Sequence, residues 1–142
     1  MLTYIESRAV RFRVVAQIAL LASTAATTWC NAQQVIPSDQ VLCRAAVASL
    51  MGRDINTIEV TRTQANITFT AYIRPSDGSV WRNRCRVDGP RIHWGTDVGR
   101  WRDHPLDEVV TYEVRGSKLT VRVSMSGSTG SSKVFDLQKV KK

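Results

Sequence analysis

The sequence predicts an α+β domain in which one N-terminal helix packs on a curved antiparallel β-meander of six or seven strands. Residues 38–51 repeat their apolar positions at helical spacing, and from residue 57 the repeat switches to two, broken by Gly, Pro, Asp and Ser turns. A third observation is covalent. Cys43 and Cys85 each fall on the apolar side of their element, so a bridge between them would join helix to sheet. A small up-and-down barrel with the helix capping one end is the alternative arrangement of the same parts.

The first 32 residues read as an export address. Arg8, Arg11 and Arg13 precede a mostly apolar run of about 13 residues, 14–26, and Cys30-Asn31-Ala32 offers a small residue for cleavage after Ala32. A spanning helix needs roughly 20 apolar residues, and a lipoprotein signal needs a small residue where Trp29 stands before Cys30. A cleaved signal peptide is therefore the expectation. It leaves a single domain, residues 33–142, in the periplasm or outside the cell, with no membrane span.

The helix has its own start and stop. Ser38 can cap the first-turn amides, Asp39 places a negative charge at the positive end of the helix dipole, and Gly52 ends it. Cys43, Ala46, Val47 and Leu50 form one continuous apolar stripe.

The strands follow by alternation. Residues 57–63 turn Ile58 and Val60 inward, and residues 66–74 put Ile67, Phe69, Ala71 and Ile73 on the one face that alternation marks for burial. Pro75-Ser76-Asp77-Gly78 turns the chain into residues 81–87, with Trp81, Cys85 and Val87 on one face and Arg82, Arg84 and Arg86 on the other. After Asp88-Gly89-Pro90, residues 91–95 pair Ile92 with Trp94. Residues 96–107 are irregular. The pattern resumes over 109–115, reverses at Gly116-Ser117 into 119–125, and ends, after a Gly/Ser turn at 127–132, with Phe135 and Leu137 inward on 133–138. Residues 139–142 read as a frayed end.

With Cys30 inside the signal, Cys43 and Cys85 can form only one intramolecular bridge. Closing a loop of about 43 residues stabilises by roughly 4 kcal/mol on the chain-entropy model. Neither a CxxC pair nor a histidine at ligand spacing supports a metal or catalytic role for these thiols, and no cofactor is expected.

Three of the 20 basic residues and one of the 12 acidic ones, Glu6, lie in residues 1–32, so the remaining 110 residues carry +6. Twelve of their 17 cations are Arg. Such a surface favours anionic partners. Arg82, Arg84 and Arg86 would stand roughly 7 Å apart along one strand face, repelling one another unless acids or an anionic ligand lie opposite. The irregular stretch 94–105 concentrates Trp94, Arg100, Trp101, Arg102 and His104, and Trp and Arg are enriched at binding hot spots. The competing reading makes it a connector whose Trp residues cap the core while Asp–Arg pairs close locally.

Catalytic signals are thin. His93 and His104 lie near Asp97, Asp103, Asp107 and Glu108, but at no recognised ligand spacing, and the Ser-rich stretch 124–128 is not a nucleophile elbow. No phosphate loop or dinucleotide fingerprint is present, and export disfavours nucleic acid. The layout of signal peptide, one disulfide and small antiparallel β domain resembles that of small periplasmic inhibitors and immunity proteins of bacteria, such as the lysozyme inhibitors. The resemblance covers layout alone, and the +6 charge argues against a basic lysozyme as partner. The leading expectation, drawn from the 94–105 loop and the Arg row, is a non-catalytic exported domain that binds a protein partner. A binder of anionic envelope polymer or of a small anion through the Arg face is the second expectation. An envelope hydrolase using His104 is the third.

Overall fold

The computed structural model describes residues 34–126 and 128–142, so residues 1–33, where the export signal is expected, and Gly127 lie outside the described residues. Ser38 caps α1 (Asp39–Leu50) by accepting a hydrogen bond from the Val41 N–H, and Asp39 sits in the first turn. The Met51 N–H closes the last turn on Val47 O, and Gly52 leaves the helix at φ +64°. No described helix is long and apolar enough to cross a membrane.

A 3₁₀ turn (Ile55–Thr57) leads into seven strands: β1 (Glu59–Gln64), β2 (Ile67–Ile73), β3 (Val80–Asp88), β4 (Arg91–Thr96), β5 (Val109–Arg115), β6 (Lys118–Ser124) and β7 (Ser131–Asp136). They lie in sequence order in one sheet, each antiparallel to the next. β1 and β7 do not pair, so the sheet stays open and the barrel alternative falls. Two-residue reversals at Gly89-Pro90 and Gly116-Ser117 put a positive-φ glycine first, which matches the twist of the flanking strands.

The helix lies on one face of the sheet. Cys43 and Cys85 form the disulfide, with Cα atoms 5.8 Å apart. Around it Leu42, Val47, Ile92, Trp94, Val110, Leu119 and Val121 make a continuous buried core.

The helix-facing parity of β2 differs from expectation. Thr68 lies opposite Cys85, so Thr68, Thr70 and Tyr72 face the helix, all buried. Ile67, Phe69, Ala71 and Ile73 do share a face, but it is the outer one. Phe69 escapes water there because the Arg62 guanidinium lies over its ring, 3.8 Å from the centroid, while Ile73 stays exposed. The pairing with the disulfide strand outranks the apolar alternation of β2.

The C-terminal tail is held, where fraying was expected. The Lys141 N–H donates to Asn56 Oδ1 (2.9 Å), Asn56 Nδ2 donates to Lys139 O (3.3 Å), and Arg44 Nη1 donates to Lys141 O (2.6 Å). Val140 packs against the core.

Candidate functional site

The outward row of β3 sets the site. Arg82, Arg84 and Arg86 occupy alternate positions of one strand, and Gly95 of β4 stands opposite Arg84. Having no side chain, Gly95 leaves a gap in the outer face, and the chain beyond β4 fills it. Residues 97–100 turn back so that Trp101 forms an isolated bridge with Gly95. Residues opposite one another share a sheet face, so the Trp101 ring meets the Arg row. The Arg84 guanidinium lies 4.6 Å from its centroid and that of Arg86 lies 5.5 Å away. Gly95 is required: a Cβ would fall 2.8 Å from the backbone O of Arg100.

A single carboxylate braces the rest of the loop. Asp107, 7% exposed, accepts two hydrogen bonds from the Arg100 guanidinium, the second at 2.7 Å, and one from the His104 N–H at 3.0 Å. Arg102 approaches it to 3.5 Å. The Arg100 fork beside Asp107 holds its carboxyl well below the usual carboxylate range, helped by the His104 N–H and the Arg102 charge. The Arg102 N–H bonds Trp94 O at 2.8 Å and its guanidinium lies 5.5 Å from the Trp94 ring centroid. Arg84 Nη2 donates to Gly99 O, and Thr96 Oγ1 donates to Val98 O at 2.6 Å. The loop is thus tied at several points, and it still presents Val98 (87% exposed) and Leu106 (70% exposed) to solvent.

The structure brings most of the sequence-predicted residues together. Arg84, Arg86 and Trp101 form one stacked unit, with Arg100 and Arg102 behind it on Asp107. Arg82 is exposed on the same row, beside a 290 Å³ depression walled by Arg62, Phe69 and Asp97, where Arg62 reaches Asp97 at 3.5 Å. None of Arg82, Arg84 and Arg86 has a carboxylate within salt-bridge distance among the described residues. Trp94 sits elsewhere: it is a core residue, 5% exposed, on the helix side of the sheet.

Neither histidine joins a carboxylate. Exposed His104 accepts the Leu106 N–H on Nδ1 at 3.2 Å. His93, opposite Arg86, has its pKa lowered by burial and then by the Arg91 and Arg86 charges. No described cluster of His, Cys, Asp or Glu could hold a metal ion.

Asp107 and Gly95 were not foreseen as binding residues. Asp107 lies seven residues after Arg100 and five after Arg102, but Asp103 and Glu108 stand in the same stretch, so spacing alone does not single it out. Compared with known proteins, the chain matches no family model, no curated protein and no solved structure.

Proposed function

We propose that this is an exported, non-catalytic binding domain that recognises an acidic face on a protein partner. One observation carries the reading: the loop braced on Asp107 offers two exposed apolar tips, Val98 and Leu106, beside an Arg row without acidic partners among the described residues. A loop ordered before contact loses little conformational freedom on binding, and that saving appears as affinity. The apolar tips supply burial, while Arg82, Arg84 and Arg86 supply steering and register. Replacing Arg100 or Trp101 by Ala removes the brace or the stacked ring, and either change weakens partner binding. Unchanged binding in both variants rejects the reading.

Export through residues 1–32 completes the proposal, supported by the Cys43–Cys85 bridge, a bond that persists in oxidising compartments. Intact mass of the protein from its native compartment tests it. A chain starting near Gln33 that gains about two protons on reduction is expected. A full-length, reduced chain rejects it.

The Arg row, with no carboxylate partner among the described residues, also favours a second reading, an anionic envelope polymer or small anion as ligand. Binding of the isolated polymer that falls steeply with added salt would support it over a protein partner.

A further inference from the structure

Arg44 is buried, 8% exposed, and no described carboxylate lies within salt-bridge distance of it. Its Nη2 donates to Ile55 O at 3.0 Å and its Nη1 to Lys141 O at 2.6 Å, while its buried Nε has no partner. A guanidinium carries five N–H donors and a full charge, and two carbonyl oxygens compensate neither fully. Burial accordingly pushes the Arg44 pKa down from its ordinary range. A neutral side chain would fill this position at lower cost, unless the charge has a partner that comes and goes.

The surroundings say what that partner is. Arg44 lines a cavity of about 580 Å³ together with Ser38, Gln40, Glu59, Lys141 and Lys142. Three cationic side chains face one side-chain carboxylate there, and the first turn of α1 opens onto the same space. The cavity is several times larger than a bare oxyanion and falls within the size range of small-molecule sites.

We propose that this cavity binds a small organic phosphomonoester, its phosphate group held by Arg44 and rimmed by Lys141 and Lys142. Glu59 faces the organic part, where it can accept from a hydroxyl or an amine. The cavity shares no residue with the braced loop, so the proposal stands apart from the partner-binding reading.

The test uses the full chain, with glycerol 3-phosphate as the soluble probe and vesicles of phosphatidylcholine with or without phosphatidic acid as the lipid probe. Saturable amide shifts at Gln40, Arg44 and Asn56 with glycerol 3-phosphate are expected. The affinity should weaken at least about ten-fold in Arg44→Met and in Lys141→Gln/Lys142→Gln, a charge-assisted contact being lost each time. The double variant changes only exposed side chains, so it keeps the test valid if Arg44→Met fails to fold. Phosphatidic acid vesicles that bind through the same residues would assign the phosphate to a lipid headgroup, and vesicles that do not would assign it to a soluble ester. If glycerol 3-phosphate gives no saturable shifts, or if its affinity is unchanged in the double variant, Arg44 is only a clamp for the tail and the proposal is overturned.

Discussion

Asp107 takes both guanidinium arms of Arg100 across seven residues of chain, and it does so from a buried position at the base of the loop. This pairing converts an irregular segment into a fixed surface. Asp107→Asn keeps the shape and removes the charge, so the loop should open more often while the sheet stays intact. Tryptic cleavage after Arg100 and Arg102 should accelerate by on the order of ten-fold, since cleavage follows the population of the opened loop. Equal cleavage rates in the two proteins would show that the brace is dispensable. The same carboxyl has a lowered pKa in the folded state, so its contribution is present above about pH 4 and is lost as pH falls below that.

Gly95→Ala tests the bridge to Trp101. The added Cβ meets backbone, not a movable side chain, so the loop must shift outward. A cost of about 1–3 kcal/mol is expected, with a change in Trp emission as the ring leaves the Arg84 and Arg86 guanidinium groups. A variant of unchanged stability and emission would mean that the loop does not close on β4 in solution.

The helix, the strands and the disulfide were legible because each depends on local parity. Cys43 sits on a helical stripe, Cys85 on an alternating strand, and the two faces needed only to meet. The facing of β2 was not legible, since Thr68 turns inward through its pairing with Cys85, a relation between strands and not within one. The tail misled for a different reason. Asn56 and Arg44 hold main-chain atoms of Lys139 and Lys141, and backbone partners leave no mark in a sequence. In the site, the residue types were readable, but not the return of Trp101 to Gly95 or the convergence on Asp107.

Replacing Cys43 and Cys85 together by Ala should lower stability by about 2–5 kcal/mol in denaturant unfolding, because the bridge spans a long loop. A loss under about 1 kcal/mol would show that the core around α1 carries the helix without its covalent pin.

His93 gives a stability change near neutral pH. Burial and the Arg91 and Arg86 charges hold its folded pKa below the unfolded value of about 6.5, so the unfolded chain binds the proton more readily. Its contribution is complete above about pH 6.5 and is lost as pH falls through the folded pKa. Between pH 7.5 and 5, His93→Gln should therefore lose less stability than the parent chain. Identical slopes would place the ring in water.

The most direct test of partner recognition is the Val98→Asp/Leu106→Asp variant, which alters only exposed loop tips. Captures from extracts of the source cells with the parent chain and with this variant are compared at low and high salt. The parent should retain a stoichiometric protein that the variant loses and that added salt weakens. The same protein held equally by both chains, at either salt, would contradict the assignment of this loop as the recognition surface.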